Sequence, residues 1–220
     1  MLISHSHRFI FFHVSKTAGM SMRQVLEPYS EEPERFKIRR PPRTMNGAPN
    51  RMYEVWDTLL LHAKARDARD ELPADVFNPF YKFAFVRNPW DWQVSMYHFV
   101  LREKTWPKHA IVKSLANFEE YLEWVVSTPD PYPKGQPLTQ SEIITDPACR
   151  LLVDFAGRYE SLQPDFRRVC DRLALPVCLP HLNATNHRHY RTYYNKRSER
   201  LVATHFAPDI ELFGYRFSSS

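Results

Sequence analysis

The sequence predicts a single α/β domain over residues 1–220, a parallel sheet covered by helices on both faces. Two short apolar runs, 9–14 (FIFFHV) and 83–86 (FAFV), have the length and continuity of buried strands. Each runs into a polar turn that opens an amphipathic helix, the alternation expected of parallel strands joined by crossovers. A chain of 220 residues, 43% hydrophobic and 25% charged, also has the apolar material for one substantial core.

The first run leads into Ser15, Lys16, Thr17, Ala18, Gly19, Met20 and Ser21, and then into a helix with Met22, Val25, Leu26 and Tyr29 on one stripe, closed near Pro28. Lysine, threonine, glycine and serine at a strand–turn–helix junction suit a phosphate. The first amide N–H groups of a helix are unsatisfied, and the helix dipole adds positive potential there. Gly19 permits close backbone approach and Lys16 supplies a full charge. Taken alone, the segment also fits an ordinary βα turn with a surface lysine. The match to a nucleotide-triphosphate loop of the G-x-x-x-x-G-K-[ST] type fails, because Lys16 precedes Gly19, and this argues for a smaller anionic group at the turn.

The second run ends in Arg87, Asn88 and Pro89. Asn88 is a suitable N-cap and Pro89 a suitable first helical residue, and Trp90, Val94, Tyr97 and Leu101 give the stripe of the next helix. Arg87 therefore stands at the carboxyl end of a buried strand, where open α/β sheets bind ligands. Ser95, roughly two turns into that helix, can share an anion with Arg87. The competing reading pairs Arg87 with a structural carboxylate and leaves Ser95 a surface hydroxyl.

Together these segments resemble the PAPS-dependent sulfotransferases, in particular the carbohydrate (Golgi-type) branch and its bacterial relatives. Residues 15–21 are similar to the family's 5′-phosphosulfate motif, and Arg87 to Ser95 to its 3′-phosphate motif, R-N-P-x-[DE]-x-x-x-S. The likeness continues through Tyr159-Glu-Ser-Leu, Leu179-Pro-His-Leu-Asn183, Tyr193-Tyr194 and Asp209 to Tyr215, and is weakest over 30–55 and 105–150. It implies a P-loop-like sheet and a cofactor, PAPS, whose product is 3′,5′-ADP. Lys16, Thr17, Ala18, Gly19, Met20 and Ser21 would hold the phosphosulfate, and Arg87 with Ser95 the 3′-phosphate. Lys16 would also meet the charge that grows on the leaving phosphate. Two positions depart from the pattern: Ser15 replaces the usual proline, and Met20 stands where a hydroxyl residue is common, removing one hydrogen bond worth about 1 kcal/mol.

Transfer to a hydroxyl acceptor, with carbohydrate as the leading class, requires a general base. His62 is the candidate: it is the only histidine between His13 and Arg87, and the carbohydrate branch carries its catalytic histidine in this interval. It follows Leu59-Leu60-Leu61 and opens a helix-forming stretch, 63–72. An imidazole titrates near neutrality, as a base at physiological pH requires. His13 is the runner-up, although its place in a strand suits a structural histidine. His181, His187 and His189, among Arg188, Arg191, Tyr190, Tyr193 and Tyr194, lack metal-ligand spacing and read as a basic, aromatic loop over the nucleotide or as a solvated surface loop. No metal is expected.

The remaining sequence bounds the protein's surroundings. The N-terminal apolar run is six residues with His13 inside it, too short and polar for a signal peptide or membrane span. Cys149, Cys170 and Cys178 form no framework. A cytoplasmic enzyme without a membrane anchor is the expectation, oligomeric state unknown. The net charge of +5 implies affinity for anions without naming one, and no nucleic-acid partner is expected. The basic run 35–43 and the proline-rich run 128–137 read as loops. Trp106, Phe118, Tyr121, Trp124 and Tyr132 offer faces for an acceptor, yet Phe118, Tyr121, Leu122 and Val125 are at helical spacing and so belong to a core. Phe166, Val169, Cys170 and Leu173 form a further stripe, as do Leu201, Val202, His205 and Phe206, and Gly214 stands at a helix C-cap. A kinase using ATP and Mg²⁺ and a non-catalytic anion or nucleic-acid binder are the alternatives.

Overall fold

Alternating side chains on neighbouring strands divide the core in two. Phe9, Phe11, Phe83 and Phe85 point to one face of the sheet and Ile10, Phe12, Ala84 and Val86 to the other, all essentially without solvent exposure. The computed structural model describes residues 1–31, 63–133, 136–179 and 188–217, and the backbone of 44–45 and 48–49. Strands β1 (Leu2–Ser4) and β2 (Phe9–Phe12) are followed by helix α1 (Gly19–Leu26) and a 3₁₀ turn, Glu27–Tyr29. The two-residue strands β3 (Thr44–Met45) and β4 (Ala48–Pro49) pair with each other. Helices α2 (Ala65–Glu71) and α3 (Ala74–Phe77) precede β5 (Tyr81–Val86), and α4 (Pro89–Arg102), α5 (His109–Ser114), α6 (Phe118–Ser127) and α7 (Ser141–Ile144) follow it. The chain closes with β6 (Phe155–Arg158), α8 (Leu162–Leu173), α9 (Lys196–His205) and α10 (Ala207–Phe213), with 3₁₀ turns at Tyr159–Ser161 and Tyr190–Tyr193.

The main sheet has the order β1-β2-β5-β6. β2, β5 and β6 are parallel, with Phe9 opposite Tyr81, Phe12 opposite Ala84, Phe83 opposite Phe155 and Val86 opposite Arg158. The sheet is nonetheless mixed, because β1 runs antiparallel to β2 at the edge, with Leu2 opposite Phe11. Three residues are too few to announce a strand by pattern, and they join β2 through a tight turn in which Arg8 has φ 52°. β2 also stops at Phe12, two residues short of the apolar run, and His13 and Val14 lead from it into the turn at 15–18.

Helices cover both faces. Against Phe9, Phe11, Phe83 and Phe85 pack Met22 and Leu26 of α1 and Phe166, Val169, Cys170 and Leu173 of α8. The other face carries Trp90 and Val94 of α4, Phe118, Tyr121, Leu122 and Val125 of α6, Val202 of α9 and Phe206. Fully burying one phenylalanine is worth about 1.5–3 kcal/mol, so these rings anchor the strand ends that carry the polar turns. Trp106 and Tyr132 are buried as well, and Trp124 packs against the same cluster, so the aromatics of the middle region serve the core. Leu201 is half-buried and His205 exposed, so the C-terminal stripe is carried by Val202 and Phe206. Gly214 has φ 63°, and the amides of Gly214 and Tyr215 return to the carbonyls of Glu211 and Ile210, closing α10. The helix anticipated from residue 63 begins at Ala65, after an extended Lys64. Cys149 and Cys178 are exposed and Cys170 is buried, all as free thiols. No helix among the described residues is long and apolar enough to cross a membrane.

Glu31 closes the β1–β2 edge: its carboxylate accepts the amides of His5 at 2.7 Å and Ser6 at 3.1 Å. Partial desolvation works to raise its pKa, but the hydrogen bonds from Ser6 and His5 outweigh it and hold the group down to about 2. Because the folded value lies below the ordinary 4.5, this stabilisation is present above 4.5 and is lost as pH falls through about 2. Glu31→Gln is therefore expected to melt below wild type at neutral pH, and the difference to shrink as thermal melts are taken from pH 4.5 toward 2.

Candidate functional site

The lysine turn is built around two left-handed residues that are not glycine. Lys16 has φ 60° and Ala18 φ 63°, conformations that cost a side-chain-bearing residue about 1–2 kcal/mol. Three contacts hold the chain there. Thr17 Oγ1 donates to the Val14 carbonyl at 2.8 Å, and Trp92 Nε1 of α4 donates to the Ser15 carbonyl at 2.8 Å. The third is steric: a Cβ on Gly19 would stand 1.9 Å from Cδ2 of His13, so the buried imidazole fits beneath the turn only because residue 19 is glycine. The close approach expected of Gly19 is thus made to a side chain of its own domain. Ala18 occupies the N-cap of α1 without a side-chain cap, which leaves the first amides of the helix uncapped by a side chain. Lys16 Nζ lies 4.7 Å from the centre of the Phe99 ring, and Met20 is 62% exposed at the start of α1. The Thr17 hydroxyl proton is committed within the turn.

The arginine turn follows β5 as the sequence predicts. Asn88 Oδ1 caps α4 by accepting the Trp90 amide at 3.1 Å, with Pro89 at the first helical position. Arg87 is 4% exposed. Its Nε donates to Asp91 Oδ2 at 2.8 Å and Nη2 lies 2.8 Å from the same oxygen, while Nη1 donates to the Lys16 carbonyl at 3.2 Å. The guanidinium carbon sits 4.1 Å from the centre of the Tyr159 ring. A guanidinium has five N–H groups, and the remaining ones on Nη1 and Nη2 engage no described residue. The carboxylate partner is therefore real but does not exhaust the arginine. Glu160 holds the next residue, accepting the Asn88 amide at 2.6 Å and the Tyr215 hydroxyl at 3.0 Å. Ser95 is 1% exposed, and its Oγ has no hydrogen-bond partner among the described residues. A buried hydroxyl left so costs about 1–3 kcal/mol unless a ligand supplies the bond.

The structure brings Lys16 and Arg87 into direct contact, and sets the uncapped start of α1 on the turn that carries Lys16. Residues 1–216 match the sulfotransferase family. The chain belongs to that family. No curated protein matches the chain, and no solved structure does. The lysine and arginine turns leave adjacent parallel strands, and Asp91, Tyr159 and Glu160 brace the arginine turn. Asp91 falls on the acidic position of the second motif and Tyr159-Glu160 in the stretch through which the likeness continues, so the signal was present in sequence without its purpose.

His62 lies outside the described residues, as do His181, His187 and the basic run 35–43. His13 is 4% exposed, with its ring stacked on Phe11 at 6.1 Å, as a structural histidine would be. The 188–194 segment is only partly a surface loop. Tyr193 Oη bonds His98 at 2.8 Å and Tyr194 Oη donates to the Trp90 carbonyl at 2.8 Å, so both tie the segment to α4. No group of three or more His, Cys, Asp or Glu placed to hold a metal ion occurs among the described residues.

The Gly19–His13 contact is open to a double-mutant test. Gly19→Ala is expected to destabilise the protein by about 1–3 kcal/mol in denaturant unfolding. In Gly19→Ala/His13→Ala the clash is gone, so the combined loss should fall short of the sum of the single losses by at least about 0.5 kcal/mol.

Proposed function

We propose that this sulfotransferase moves a sulfuryl group from PAPS to a hydroxyl acceptor, with carbohydrate as the leading class, in the cytoplasm. The observation that carries the reading is the contact between its two anion-binding turns, Arg87 Nη1 to the Lys16 carbonyl at 3.2 Å. A nucleotide with phosphate at both ends of its ribose needs two such turns side by side, and a single phosphate does not. The residues present suit the cofactor: the start of α1 without a side-chain cap, and the N–H groups of Arg87 and the Ser95 hydroxyl that engage no described residue, are donors suited to an anion.

When bound, PAPS supplies a sulfuryl group on a phosphate that leaves as 3′,5′-ADP. Lys16 and the backbone N–H groups of Thr17, Ala18, Gly19, Met20 and Ser21 bring positive potential to that phosphate. The charge released during transfer is therefore met by groups already in place. Arg87 and Ser95 hold the 3′-phosphate and so fix the nucleotide's orientation without touching the bond that breaks. Met20 contributes its amide and no hydroxyl. His62 removes the acceptor's hydroxyl proton. An imidazole is suited to that step because it is largely neutral at pH 7 and accepts a proton without a large change in driving force.

Calorimetric titration with 3′,5′-ADP and with ATP plus Mg²⁺ tests the cofactor. Wild type is expected to prefer 3′,5′-ADP and Arg87→Ala to lose that preference; tighter binding of ATP–Mg²⁺ would instead indicate a kinase. His62→Ala should keep the nucleotide affinity and lose about 10²–10⁴ in turnover with PAPS and an acceptor found by screening. Near-full turnover in that variant would remove His62 from the mechanism.

A further inference from the structure

Arg87 is gripped at its own peptide by a side chain from far along the sequence. Gln140 Oε1 accepts the Arg87 amide at 2.9 Å, and Gln140 Nε2 donates to the Arg87 carbonyl at 2.8 Å. β5 ends at Val86, so Arg87 is the first residue beyond the strand. The carboxamide gives it the donor and acceptor that a neighbouring strand would have given. Gln140 is itself anchored. Its amide donates to Asp209 Oδ2 at 2.8 Å and the Ser141 amide to Asp209 Oδ1 at 2.7 Å, with Asp209 of α10 fully buried.

This chain, α10 to the start of α7 to the end of β5, is more specific than filling space requires. An apolar side chain of similar size would fill the same volume, whereas a buried carboxamide is retained only with both its donor and its acceptor satisfied. The guanidinium head is fixed separately, by Asp91, Tyr159 and the Lys16 carbonyl. An arginine side chain carries large rotamer freedom, and one fixed at both base and head loses little of it on meeting an anion.

We propose that Gln140 is a positioning residue for anion recognition by Arg87, anchored by Asp209, and that the anion is the phosphate monoester on the 3′ side of the nucleotide. The inference rests on the PAPS reading of the site. Gln140 touches no ligand; it sets the direction from which the Arg87 side chain departs. Its loss therefore falls on discrimination between nucleotides that differ only in the 3′-phosphate.

The test is calorimetry with 3′,5′-ADP and 5′-AMP on wild type and Gln140→Leu, with thermal melts to establish folding. The expected result is that wild type prefers 3′,5′-ADP, and that Gln140→Leu loses about tenfold of this preference while its 5′-AMP affinity is unchanged. An unchanged preference with a lowered melting temperature makes Gln140 structural and overturns the proposal. So does an equal loss for both nucleotides. If wild type itself does not prefer 3′,5′-ADP, the PAPS reading fails first and the proposal falls with it. Should Gln140→Leu not fold, Gln140→Glu serves. It keeps the acceptor for the Arg87 amide, sets a carboxylate against the Arg87 carbonyl, and is expected to lose preference in the same direction.

Discussion

The parallel register of β2 against β5 is the constraint on which the rest of the structure depends. With Phe12 opposite Ala84, the two chains leave the sheet side by side. The lysine turn and the arginine turn therefore begin within reach of each other. A slip of one residue would turn every side chain of the strand to the other face and bury the wrong set. The register is held by apolar packing rather than by the polar groups it positions. Phe9, Phe11, Phe83 and Phe85 interlock with α1 and α8 on one side, and Ile10, Phe12, Ala84 and Val86 meet α4 and α6 on the other. The polar turns are thus placed by a buried aromatic seam.

The lysine turn shows what that seam must support. Two left-handed residues, Lys16 and Ala18, separated by Thr17 alone, form an arrangement that an isolated peptide would abandon. It persists because Thr17 closes back on Val14, Trp92 pins the Ser15 carbonyl and His13 fills the space below Gly19. Trp92 lies on the helix that the arginine turn initiates, so the second motif braces the first. The two turns are one mechanical unit, joined by Trp92 to the Ser15 carbonyl and by Arg87 to the Lys16 carbonyl.

Local features of this unit were legible in the sequence because local rules govern them. Asn88 as N-cap, Pro89 at the first helical position, Gly214 at the C-cap and the stripes on α6 and α8 each follow from a few neighbouring residues. The β1 edge was not legible, since three residues carry no period. Nor were Gln140, Glu160 and Asp209 as supports of the arginine turn. Each acts across 53 to 72 residues of chain, through bonds that no spacing announces. Aromatic content also misled in part. Trp106 and Tyr132, which could have faced an acceptor, lie in the core, because residues of that size are consumed where several short helices must cover one sheet face.

In Arg87 the two readings that the sequence leaves open, pairing with a structural carboxylate and binding an anion, do not compete. Asp91 takes Nε and Nη2, the Lys16 carbonyl takes Nη1, and Tyr159 covers one face of the plane. These contacts use part of a five-donor group and fix its orientation. A lysine could not be divided this way: its ammonium is a single point of charge on a flexible stem, and a carboxylate as close as Asp91 would neutralise it. Arginine at the end of β5 can hold a structural partner and keep further N–H groups for a ligand. The carboxylate at 91 is then compatible with anion binding at 87, and it aims the charge that it partly offsets.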